Sequence, residues 1–206
     1  MVQLMLIRHG VTDWNEQRRY IGSTDLGLSP RGKEQARATS ERLQNESVDA
    51  IFSSKTKRAL ETAQVITQNH PLEVNVLSSL NEVDFGRWEG MTFNEIEKKW
   101  PAFIPRWLED EKGLPPEGES IGLFQKRVES GVDQILARNI EGNIVIVAHA
   151  GTIKLSLGYL LGFELSLIWE MSTDSCSITT IDHYDDGRNV LTLLNDTCHL
   201  NHLDPK

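Results

Sequence analysis

Two runs, Leu4 to Ile7 and Ile144 to Ala148, are apolar at every position; the first stops at Arg8-His9-Gly10 and the second at His149-Ala150-Gly151. A strand with no polar face must lie inside a sheet that is covered on both sides. The intervening segments supply the covers. Ser29 and Pro30 are an N-cap and an N1 residue, opening a helix to about Asn45. Residues 57–68 place Ala59, Ala63 and Ile66 on one stripe, and after Ser120 the residues Ile121, Phe124, Val128, Val132 and Ile135 recur at helical steps. Residues 151–161 read as a helix ended by Gly162. Shorter strands are expected at 48–54 and 72–77, and a hairpin at 177–194 turns at Asp186 and Gly187. Strands alternating with helices predict an α/β sandwich with a mostly parallel sheet and an antiparallel edge.

Residues 80–119 differ in texture. They hold Trp88, Trp100 and Trp107 with Pro101, Pro105, Pro115 and Pro116. Thr92 and Glu95 form a capping-box pattern for a helix at 93–99. The segment is too short for its own core, so it is expected as an excursion within a single domain over 1–206. With 39% hydrophobic residues the chain has apolar material for that core. Its net charge of −9 argues against nucleic-acid binding, which requires phosphate neutralisation. It does not exclude an anion held in a local basic cleft. The most apolar stretch, 153–169, is interrupted by Lys154 and Glu164, so no membrane span is expected, and the start lacks a signal-peptide pattern. The expected compartment is the cytoplasm. The two cysteines, Cys176 and Cys198, form no framework, although one disulfide between them is arithmetically allowed.

The chemistry gathers at strand ends. His9 follows the first apolar run with Arg8 beside it, and His149 follows the second. Ser53 and Ser54 end another strand, with Arg58 on the helix beyond. In parallel α/β sheets ligands bind beyond the carboxyl ends of the strands. Two imidazoles and two guanidiniums converging there suit a phosphoryl group, although a histidine at a strand end is also often structural. Glu82 lies near Phe85 and Trp88. Read alone it is either one surface carboxylate of many or an acid whose pKa is raised by desolvation. Cys198, His199 and His202 lack the spacing of a zinc site, so no metal is expected.

The residues from Leu6 to Asn15, then Arg19, Gly22, Leu28, Ser29 and Gly32 resemble the histidine phosphatase superfamily, the phosphoglycerate-mutase-like proteins. The likeness continues through Ser53, Ser54, Arg58, Glu61, Thr62, Glu82, Trp88, Glu89, Gly90, Gly118, Glu119, Ser120 and His149. The resemblance implies a three-layer α/β/α fold and a phosphohistidine intermediate, with no metal or other cofactor. By position it implies His9 as nucleophile and Glu82 as proton donor. Arg8, Arg58 and His149 would bind the phosphoryl oxygens, with Asn15 at the pocket edge. Ala150 and Ile21 depart from the family pattern, where glycine and glutamine are common. The compact chain is similar to the small phosphatases, which act on α-ribazole phosphate, phosphoserine or a broad range of small phosphorylated metabolites. A cofactor-dependent phosphoglycerate mutase and a non-catalytic phosphate-binding module are the alternatives. A homodimer would form through the excursion or the 178–194 hairpin.

Overall fold

The computed structural model describes residues 1–101, 115–138, 141–168 and 170–203. Pro105 and Trp107, part of the expectation for the excursion, lie outside these residues, as do residues 204–206 of the tail.

Strands β1 (Val2–Arg8), β2 (Ala50–Ser53), β3 (Val74–Val76), β4 (Gly142–Ala148), β5 (Ile178–His183) and β6 (Asn189–Asp196) form one sheet in the order β3-β2-β4-β1-β5-β6. The first four run parallel, β5 is antiparallel to β1, and β6 is antiparallel to β5. The two fully apolar runs are central neighbours, with Leu4 opposite Ile144 and Arg8 opposite Ala148.

Alternate side chains of each strand point to opposite faces. Leu4, Leu6, Phe52, Ile144 and Ile146 meet Val132, Ile135, Ile153 and Leu157, from the helices Ile121–Leu136 and Ala150–Leu161. Met5, Ile7, Ile51, Val145 and Val147 meet Leu43 of α2 (Pro30–Leu43) and Ala59, Ala63 and Ile66 of α3 (Lys57–Ile66). The result is the three-layer sandwich expected from strands without a polar face.

Local signals set the helix starts. Ser29 Oγ accepts from Gly32 N–H at 3.2 Å, with Pro30 at the first helical position. Thr92 and Glu95 make the reciprocal capping box that opens α4 (Phe93–Lys99). Two four-residue α-helices escaped the sequence reading: α1 (Asp13–Glu16), capped by Thr12 and Asn15, and Leu165–Ile168 beyond Gly162. Of the excursion, the described residues Val83, Phe85, Trp88 and Ile96 pack against Ile121, Phe124 and Val128.

The chain leaves β1 towards β2 and β3 on one side, whereas from β4 it passes to β5 on the other side of β1. The connections therefore part beyond the carboxyl ends of β1 and β4, where α/β sheets form binding crevices.

Candidate active site

Strand register brings three chain segments together. His9 N–H donates to Ala148 O at 3.0 Å, and Ser54 N–H donates to Val147 O at 3.1 Å. His9, His149 and Ser54 thus leave adjacent strands side by side, and the two imidazole centroids are 5.0 Å apart.

His9 is 2% exposed, and its Nδ1 lies 2.7 Å from Gly10 O. A carbonyl only accepts, so Nδ1 carries the proton and Nε2 keeps its lone pair. Arg58 Nε donates to that lone pair at 3.3 Å. Burial, then the charges of Arg58 and Arg8, hold the imidazole well below the usual histidine range, so it is neutral. The loop behind it is tight. A Cβ on Gly10 would lie 2.5 Å from Gly32 O, while Gly10 N–H donates to Thr62 Oγ1 at 3.1 Å.

Arg58 is fully buried, with its outer nitrogens donating to Thr24 O at 3.0 Å and Gly22 O at 2.8 Å. Burial lowers its pKa to about 10, which leaves it charged at neutral pH. Arg8 is half-buried and donates through Nη1 to Thr173 O at 2.7 Å. His149 Nε2 lies 2.8 Å from Ser54 Oγ, and its buried Nδ1 has no partner among the described residues. Burial, then Arg58, His9 and Arg8, lower the pKa of His149 well below its usual range.

Glu82 faces this group from the excursion. Its Oε2 accepts from Gly151 N–H and its Oε1 from Val83 N–H, both at 3.0 Å. Gly151 lies in the first turn of helix Ala150–Leu161, where backbone N–H groups lack helical partners. The approach needs glycine, because a Cβ there would lie 2.5 Å from Glu82 Oε1. Burial raises the Glu82 pKa, against the lowering effect of those two N–H donors and of Arg58 and Arg8. The side chain lines the cavity, so it is desolvated by its walls yet open to a ligand.

Three residues behind the site were not assigned roles by the sequence reading. Arg127 donates to the carbonyls of Ser79, Asn81 and Glu82 while paired at 2.7 Å with Glu119, and so fixes the backbone that carries Glu82. Glu89 accepts from the N–H groups of Gly22 and Ser23 at 2.9 Å and of Thr24 at 3.3 Å. It thereby holds the loop whose carbonyls anchor Arg58. The family-like motifs contain Glu89 and Glu119, but Glu89 holds backbone amides far away in sequence and Glu119 acts through its pair with Arg127.

A cavity of about 280 Å³ opens on the site, lined by Arg8, Glu82 and Ala150, with Asn15, Arg18, Arg19, Tyr20, Ile21 and Phe85 around it. Asn15 borders it while its Oδ1 caps Thr12 at 3.0 Å. A larger cavity of about 770 Å³ also touches Glu82, and its lining sets Asp25, Asp84, Glu117 and Glu119 against Lys55 and Arg127, an excess of acidic groups. A phosphate dianion is drawn to the arginine-lined cavity and repelled by the acidic one. Among the described residues, His, Cys, Asp and Glu side chains form no group suited to a metal ion, and both cysteines are free thiols.

The family model of the histidine phosphatase superfamily (branch 1) matches residues 4–197. The chain belongs to that superfamily. Phosphoserine phosphatase 1 of Hydrogenobacter thermophilus is 36% identical over 201 residues, covering 97% of this chain and 95% of the relative. The structure of a phosphoserine phosphatase from Entamoeba histolytica with 3-phosphoglyceric acid superposes with a TM-score of 0.86. It is 34% identical, over 97% of this chain and all (100%) of that one. A putative alpha-ribazole-5'-P phosphatase from Escherichia coli gives a TM-score of 0.87 at 29% identity, covering 95% of this chain and 96% of that one. Within this superfamily fold, His9, Arg8, Arg58, His149 and Glu82 form one cluster, with Asn15 at its rim. Among the described residues no helix is long and apolar enough to cross a membrane.

Proposed function

We propose that this histidine phosphatase superfamily member hydrolyses small phosphomonoesters through a phosphohistidine on His9 Nε2. The observation that carries the reading is the tautomer: Gly10 O holds the proton on Nδ1, so the lone pair on Nε2 faces Arg58. In the first step Nε2 attacks phosphorus, the P–O bond opposite it breaks, and protonated Glu82 gives its proton to the departing alkoxide. Arg8 and Arg58 offset charge on the equatorial oxygens. His149 needs no charge for its part. With Ser54 O–H donating to Nε2, its Nδ1–H is free to donate to a phosphoryl oxygen. In the second step the Glu82 carboxylate takes a proton from water. The resulting attack breaks the N–P bond and releases phosphate, restoring His9 and protonated Glu82.

The positive charge comes from arginines, so the reaction runs without a metal. The phosphatase names of the relatives and the small size of the arginine-lined cavity support a small phosphorylated metabolite as substrate. The test is turnover of phosphoserine, α-ribazole phosphate, 3-phosphoglycerate and p-nitrophenyl phosphate, with and without EDTA. Hydrolysis that persists in EDTA is expected. Activity abolished by EDTA and restored by one divalent ion contradicts the metal-free mechanism. Primed interconversion of 2- and 3-phosphoglycerate that outpaces hydrolysis identifies a mutase instead.

A further inference from the structure

The rim of the arginine-lined cavity holds a residue in an unfavourable backbone conformation. Arg18 follows the end of α1 with φ of 55°, and its N–H closes the turn on Asn15 O at 2.9 Å. A left-handed residue just past a helix is most often glycine, because a Cβ crowds the neighbouring carbonyl. Strain of this kind at a ligand site points to a use for the side chain.

The arginines around this cavity are unequally engaged. Arg19 donates to Gly90 O at 2.6 Å and Gln17 Oε1 at 2.9 Å, and also meets Glu95 at 3.4 Å. Arg8 is anchored on Thr173 O at 2.7 Å and belongs to the phosphoryl site. Arg18 is exposed, and its side chain has no hydrogen bond or ion pair among the described residues. It therefore presents an uncommitted guanidinium at the rim, while Arg8 and Glu82 line the same cavity. Tyr20, Ile21 and Phe85 make much of the remaining wall, and the other charged groups of the lining, Arg8, Arg19 and Glu82, already hold hydrogen bonds.

We infer that Arg18 is a specificity residue that binds a carboxylate on the alcohol portion of the substrate. The preferred esters are then small phosphomonoesters that carry a carboxylate. A guanidinium pairs with a carboxylate through two parallel N–H donors, which fixes orientation as well as charge. The cavity of about 280 Å³ sits at the small end of ligand sites and favours a short chain between the phosphoryl and carboxylate groups. This inference rests on the hydrolase reading.

The test pairs esters that differ at the carboxylate: phosphoserine against phosphoethanolamine, and 3-phosphoglycerate against glycerol 3-phosphate. The enzyme should prefer the carboxylated member of each pair in kcat/KM. Arg18→Gly should reduce that preference by about tenfold or more, mainly through KM, which is the scale of a lost charge-assisted hydrogen bond. Arg18→Lys should retain part of it. The thermal midpoint of Arg18→Gly should hold or rise, since glycine relieves the positive φ. Calorimetric affinities for 3-phosphoglycerate and glycerol 3-phosphate, measured in a His9→Ala background with and without Arg18→Gly, give the same comparison independently of turnover. Equal losses on both members of a pair, or no loss, overturn the inference, as does an Arg18-dependent preference for bisphosphates over carboxylated esters. Failure of the unsubstituted enzyme to hydrolyse any ester defeats the hydrolase reading alone, because the binding comparison still decides the role of Arg18.

Discussion

His9 and Glu82 share one desolvated site, and burial moves their pKa values in opposite directions. It favours neutral imidazole and neutral carboxylic acid, the two forms the first chemical step consumes. The signs fix the pH dependence. Protonation of His9 ends activity on the acid side, below the ordinary value of 6.5, and deprotonation of Glu82 ends it on the alkaline side, above the ordinary 4.5. After correction for ionisation of the ester, near pH ~6, the alkaline limb of kcat/KM should vanish in Glu82→Gln. An unchanged alkaline limb assigns it to another group. The same substitution should slow alkyl phosphates ~10²–10⁴-fold and p-nitrophenyl phosphate far less, because a phenolate leaves with little help. Rates across leaving groups of graded pKa check this, and a uniform loss indicates positioning instead.

At the scale of elements, the strand ends alone do not complete the site. The loop 22–24 anchors Arg58 through two carbonyls, and Glu89 holds that loop through backbone N–H groups. Glu89→Ala strands those donors, each worth ~1.5–3 kcal/mol when bonded to a charge. The expected outcome is a fall of about tenfold or more in kcat with weaker inhibition by inorganic phosphate. Glu89→Gln should recover part of both. Loss of thermal stability with unchanged kcat and phosphate affinity removes Glu89 from this role. The contrast with β1 and β4 explains what the sequence made legible. Their unbroken apolar runs admit only a doubly covered strand, and the histidines just beyond the two strands sit together by register. Arg127 and Glu89 look like surface charges because the groups they hold are distant carbonyls and amides, which no side-chain pattern records, and Glu119 matters through its pair with Arg127. Helix α1 escaped because four residues, capped by Thr12 and Asn15, carry no apolar period. Arg18 escaped because its backbone angle is invisible in the sequence.

The molecule as a whole carries a net charge of −9 yet gathers Arg8, Arg18 and Arg19 at one cleft, with Arg58 behind it at His9. The field that matters to a phosphate is therefore local, set by low-dielectric walls around a few fixed cations. Those cations stay in register because the sheet beneath them is packed on both faces. Ile146, 2% exposed at the centre of β4, shows how much depends on that packing. Ile146→Ala should cost ~2–5 kcal/mol in urea unfolding. A loss well below 1 kcal/mol would mean that the core around it collapses to fill the space. The most direct test of the account is a rapid-quench reaction with phosphoserine, followed by peptide mass spectrometry under acid-sparing conditions. The account predicts an acid-labile phosphoryl group on His9 that forms and decays fast enough to support turnover and is absent from an inactive His9→Ala variant. Full turnover by His9→Ala, or turnover with no phosphohistidine at His9, would contradict it.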